Sequence, residues 1–248
     1  RANGLTLTGT GTTREVALGG LAADTDYTAT LEVTDSEGLV TRRTLHFDTF
    51  GTGLPVIEVE DYNFGGGQFI NSPTVQAEGS GPDSTGYSGQ VGVPEVDFLD
   101  TRTSPNGQNT PWRPEDPVRM ERSRDFERAR QAAAGGAGAG FYDYVVGDIA
   151  AGEWLQYTRT FTAGAYEVYL RQSVANHPTA ESVLELVTGD PSAPNAATRV
   201  LGSFLAAQSG FVYRNWPLTD GSGSRNVILR LSGRTTLRLR QVTADVAD

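Results

Sequence analysis

The sequence predicts an all-β protein built of two sandwich-like units. Three observations carry that expectation. Apolar residues recur with a period of two through many short runs, as half-buried strands require. Thirty glycines and twelve prolines, with abundant Ser, Thr and Asn, punctuate those runs. Apolar residues at helical spacing are scarce, and at most a short helix is expected, within residues 125–134.

The first unit is read over residues 1–50. Tyr27, Ala29, Leu31 and Val33 fall on one face of a strand, and Thr28, Thr30, Glu32 and Thr34 on the other. Asp35-Ser36-Glu37-Gly38 reads as a turn, and residues 39–47 as the partner strand. The spacing from Leu21 to Tyr27 resembles the tyrosine corner of fibronectin type III and related immunoglobulin-like sandwiches. Such domains run to about 100 residues, so residues 1–50 are expected to be the C-terminal half of one. Residues 51–55, which include Pro55, form a short linker.

The second unit is read over residues 56–248. Strands are expected at 56–60, 152–161, 166–172, 182–187, 199–204, 211–218, 226–231 and 235–240, and eight short strands suit a jelly roll. Residues 162–165 read as a tight hairpin turn between two of them. Residues 63–140 form a long Gly/Pro/Ser/Asn-rich stretch, of the kind that carries function or lacks order.

Two segments carry a family resemblance. Gly152-Glu153-Trp154-Leu155-Gln156-Tyr157, followed by Ala163-Gly164-Ala165-Tyr166-Glu167-Val168-Tyr169-Leu170-Arg171, resembles a hairpin of carbohydrate-binding modules of the family 6 and family 35 type. Val56-Ile57-Glu58-Val59-Glu60-Asp61-Tyr62 looks like the opening strand of the same modules. The resemblance implies a galactose-binding-like jelly-roll β-sandwich that contains calcium, binds sugars and does no covalent chemistry. It further implies a secreted or cell-surface bacterial protein with other domains in the same parent chain.

Composition limits the alternatives. A net charge of −10 disfavours nucleic acid, whose binders need a basic face. The absence of cysteine excludes disulfides and thiol chemistry. No run of about 18 apolar residues is present, so no membrane-spanning helix is expected. His46 and His177 lie in different units, and no nucleophile elbow, phosphate-binding loop or zinc-protease motif occurs. Paired carboxylates of the kind a glycosidase uses arise by chance among thirty acidic residues, and no enzymatic activity is expected.

Candidate ligand residues follow from chemistry and resemblance together. Calcium takes hard oxygen ligands. Glu58 and Glu60, two apart on an expected strand, would share one face, and the resemblance implies a structural calcium there, with Asp245 or Asp248 as partner. The rival reading is an acidic strand edge that discourages aggregation. Asp97 and Asp100 read as a second cation site or as a turn. Sugar binding needs flat apolar rings beside polar groups. Tyr62, Phe64, Phe69, Tyr87, Phe98, Trp112, Tyr142 and Tyr144 are the aromatics in expected loops. Trp112, between prolines, and Tyr87, flanked by glycine and serine, are the expected stacking rings, with Asn109, Arg113 and Asp116 as polar neighbours. The alternative is that both rings staple the long loop to the sandwich. At the level of function, the rival to polysaccharide binding is a structural spacer in a surface or filament protein.

Overall fold

A computed structural model describes residues 4–10, 12–51, 53–73, 86–101, 112–123, 125 and 144–243. The helix expected within 125–134 lies outside the described residues, apart from Asp125. The protein is all-β, and the chain divides into two compact units, Arg1–Pro55 and Val56–Asp248.

In the first unit, β1 (Leu5–Thr8) pairs antiparallel with β2 (Glu15–Leu18), and β3 (Asp26–Thr34) with β4 (Val40–Asp48). The β3–β4 register sets Tyr27 opposite Phe47 and Ala29 opposite Leu45 as an apolar patch, while Leu31 and Val33 sit opposite Arg43 and Thr41 and are exposed. Tyr27 and Phe47 stack with centroids 5.6 Å apart, and the Tyr27 hydroxyl accepts a bond from the Ala22 N–H at 2.8 Å. Asp35 caps the turn between the strands by accepting from the N–H groups of Glu37 and Leu39.

The second unit is organised by a seven-stranded antiparallel sheet, curled as in a β-sandwich. Its strands are β5 (Phe98–Leu99), β8 (Trp154–Glu167), β9 (Tyr169–Val174), β10 (Thr179–Val187), β11 (Thr198–Ala207), β12 (Gly210–Thr219) and β13 (Ile228–Gln241). Their order across the sheet is β5-β8-β13-β10-β11-β12-β9. A small separate pair, β6 (Met120–Arg122) and β7 (Tyr144–Val146), lies beside it in sequence order between β5 and β8. The curl follows from connectivity. Val168 alone separates β8 from β9 in sequence, yet β8 is second in the sheet and β9 is last. One residue spans about 3.3 Å and neighbouring strands lie about 4.8 Å apart, so a flat sheet cannot join them.

The same relationship corrects the expected hairpin. β8 continues through residues 162–165, because β13 pairs with it on both sides of an irregularity there, from Trp154 opposite Arg240 to Phe161 opposite Gly233 and from Gly164 opposite Leu231 to Glu167 opposite Ile228. The alternating residues of the second arm therefore serve two strands that do not pair with each other. β13 likewise joins two segments expected to be separate, with a register shift between Leu231 and Gly233. Residues 56–60 are not a strand: the Asp61 N–H donates to the Glu58 carbonyl at 3.1 Å and closes a turn. Ile57 and Val59 still pack against the core.

Three apolar clusters pack within the second unit among the described residues, the smallest being Val174, Ala180 and Ala206 with Trp216 against them. Leu184, Phe204, Leu218, Leu229 and Leu237 pack on the inner side of the long strands. Tyr62, Tyr87, Phe98, Trp112, Met120 and Tyr144 join the loops to β8 through Leu155 and Tyr157. Full burial of each such side chain stabilises the fold by about 1.5–3 kcal/mol.

Candidate ligand-binding site

The rings expected to stack on sugar are core residues. Trp112 is 1% exposed and stacks on Tyr144 at 5.1 Å. Tyr87 is 0% exposed; its hydroxyl accepts from the Ile70 N–H at 2.8 Å and donates to the Ile70 carbonyl at 3.1 Å. Phe64 meets the Tyr87 ring edge-on. The expectation of accessible rings is thus overturned. Prolines keep Trp112 out of a strand, but they do not keep its loop from folding back onto the sheet.

Arg113 and Asp116 are buried with it. The Arg113 guanidinium lies 3.5 Å from the Tyr62 ring centroid and donates to the carbonyls of Tyr62 at 2.6 Å and Asn63 at 2.9 Å. Its Nε donates to Asp116 Oδ2 at 3.0 Å. Asp116 also accepts from the Tyr62 hydroxyl at 2.5 Å and the Gly92 N–H at 3.0 Å. Burial, only partly opposed by Arg113, pushes the Tyr62 phenol well above its usual range. A buried ion pair is tolerable when its remaining donors and acceptors are filled in this way. These residues hold the loop in place; they are not a recognition surface. Asn109 lies outside the described residues.

The metal candidates separate as well. The Asp97 carboxylate accepts three backbone N–H bonds, from Gly67 at 2.7 Å and from Gly66 and Val93 at 2.9 Å each. It staples the loop, as the turn alternative expects. Glu60 is buried and Glu58 half-buried, on the turn that replaces the expected strand. Their neighbour Asp61 is 2% exposed, and its Oδ1 finds no hydrogen-bond partner among the described residues. Burial and the nearby Glu58 charge raise the Asp61 carboxyl to about 7, against Arg159 and Arg113. No group of three or more His, Cys, Asp or Glu side chains among the described residues stands ready to hold a metal. Asp245 lies outside the described residues.

Sequence reasoning missed an open cleft of about 740 Å³ in the second unit. Three distant segments line it: Gly66 to Phe69, Asp190 to Ser192, and Arg234. Gly65, Gly66 and Gly67 all take positive φ (55°, 80° and 95°) in a turn closed by reciprocal bonds between Phe64 and Gln68. A Cβ on Gly67 would sit 3.4 Å from the Pro191 carbonyl oxygen, an ordinary contact, so it is the backbone φ of 95° that calls for glycine there. The β10–β11 loop is fastened by Gln156 Nε2, which donates to the Pro191 carbonyl at 2.8 Å. The Asn195 N–H also donates to the Glu95 carbonyl at 2.7 Å. Arg234 follows the β13 irregularity, and its guanidinium stands 5.0 Å from the centroid of the half-buried Phe69 ring. Phe69 is among the aromatics expected in loops, but nothing in the sequence joins it to Asp190 or Arg234.

No protein-family model matches the chain, and no curated protein matches it.

Proposed function

We propose that residues 56–248 form a non-catalytic polysaccharide-binding module of a larger secreted bacterial protein, similar to modules of the family 6 and family 35 type. The observation that carries this reading is the cleft, which sets an aromatic ring beside a guanidinium, a carboxylate and an amide on well-fastened loops. Rings contact the faces of pyranoses, and polar groups choose among hydroxyls. Other domains of the parent chain would gain effective concentration at their substrate through such an anchor.

The reading includes a structural calcium near Glu58 and Glu60. Asp61, buried with an unpartnered oxygen beside Glu58, gives that region the all-oxygen chemistry calcium takes. The ion would offset the mutual repulsion of these carboxylates.

The burial of Trp112 and Tyr87 favours a second reading, a structural spacer without a sugar ligand. Affinity electrophoresis of the full chain, in calcium, against a panel of neutral and acidic polysaccharides separates the two. Retardation by any glycan supports binding, and mobility unchanged across the panel leaves the spacer.

A further inference from the structure

Resting on the polysaccharide-binding reading, we propose that the cleft between Phe69, Asp190 and Arg234 is the glycan site, and that it takes a neutral chain in preference to a carboxylated one. The chain lies across Phe69, Arg234 donates to its hydroxyl or ring oxygens, and Asp190 accepts from its hydroxyls.

The geometry supplies both polar partners. Among the described residues the Arg234 guanidinium makes no hydrogen bond or ion pair, and its contact is the Phe69 ring. Its donors are therefore open to a ligand while the ring holds its direction. Asp190 Oδ1 accepts from the Ser192 N–H at 2.9 Å and the Ser192 hydroxyl at 2.6 Å, which leaves Oδ2 for a second donor. Those bonds hold the Asp190 carboxyl below its usual range, so it is an ionised acceptor at neutral pH. Gln68 and Ser192 add neutral polar atoms to the lining.

The charge balance decides the class. One arginine and one aspartate line the cleft, so it has no net positive charge, and the whole chain carries −10. A polyuronate would bring further negative charge towards Asp190 and gain one cation. A neutral glycan uses the donor and the acceptor together and meets no repulsion. Rejection of the wrong class then comes from the acceptor as much as from missing cations.

The test uses the full chain with xylan, galactomannan and laminarin as neutral probes, and polygalacturonate and alginate as anionic ones. Affinity electrophoresis and calorimetry are run in calcium at low and high salt. A neutral glycan should bind with little salt dependence. Phe69→Ala and Arg234→Ala should each weaken it by about tenfold or more, and Asp190→Asn should weaken it too, with melting temperatures near that of the parent. Arg234 and Asp190 are exposed, so their variants remain informative if Phe69→Ala fails to fold. Neutral binding unaffected by the Arg234 and Asp190 variants overturns the site and leaves the binding function standing. Salt-sensitive binding of polygalacturonate or alginate alone overturns the class. No binding to any probe sinks the function itself.

Discussion

Asp97 grips Gly67 from the far side of the cleft wall: its Oδ1 accepts the Gly67 N–H at 2.7 Å. The same carboxylate holds Gly66 and Val93, so one buried side chain ties the triple-glycine turn to the segment leading into β5. Hydrogen bonds to charged groups contribute about 1.5–3 kcal/mol each, with losses that do not add. Asp97→Ala should therefore lower stability by about 3 kcal/mol and loosen the turn. Denaturant melts measure the first effect, and hydrogen exchange at Gly66 and Gly67 measures the second. An unchanged midpoint would show that the turn stands without its staple.

Trp112→Ala should destabilise the second unit by about 3–5 kcal/mol, the cost of removing a large buried ring. A surface ring would cost a few tenths. Chemical denaturation followed by far-ultraviolet circular dichroism distinguishes the two, and a loss below about 1 kcal/mol would contradict burial against Tyr144.

Asp61 predicts a pH dependence. Its carboxyl rises from 3.8 to about 7 in the folded chain, chiefly through burial. Folded protein then holds this proton more tightly than unfolded chain. The contribution is complete below about pH 4, is lost as pH rises towards 7, and is constant beyond. In chelator, melting should fall across that window, and Asp61→Asn should flatten the slope. A rise in stability over the same range that Asp61→Asn leaves intact would refute the assignment.

Calcium should reverse part of that penalty. An ion that binds the folded chain alone stabilises it by about 2.7 kcal/mol at a concentration about 100 times its dissociation constant. Melting temperature should rise on adding calcium and fall with chelator, and Glu60→Gln should remove the difference. Equal melting in calcium and in chelator would return Glu58 and Glu60 to the acidic-edge reading.

The strands were legible as short apolar runs between turn residues. Residues 182–187, 199–204 and 211–218 all fall within β10, β11 and β12, although burial along these strands comes in blocks and does not alternate. Which strand pairs with which is not a local property. Tyr166 and Tyr169 carry the alternation of a hairpin arm, yet Tyr166 sits opposite Leu229 and Tyr169 opposite Pro217. Loop composition was equally silent about depth. Trp112 and Tyr87 occupy turn-rich sequence, and only the fold reveals that this segment closes over Leu155 and Tyr157. The cleft was least legible, since Phe69, Asp190 and Arg234 meet through a turn, a loop and a strand far apart in the chain.

The position of β13 has a consequence for how the molecule is made. It is the last strand among the described residues, yet it lies between β8 and β10 and pairs residues as distant as Trp154 and Arg240. During synthesis β8 emerges long before its partner and waits with an open edge. β10, β11 and β12 can zip together by short connections, but they cannot join β8 until β13 inserts. Such non-local closure slows folding and lengthens the interval in which edges are exposed to other chains. A nascent chain stalled before Ile228 would hold two unmatched fragments of sheet, which only β13 can bridge.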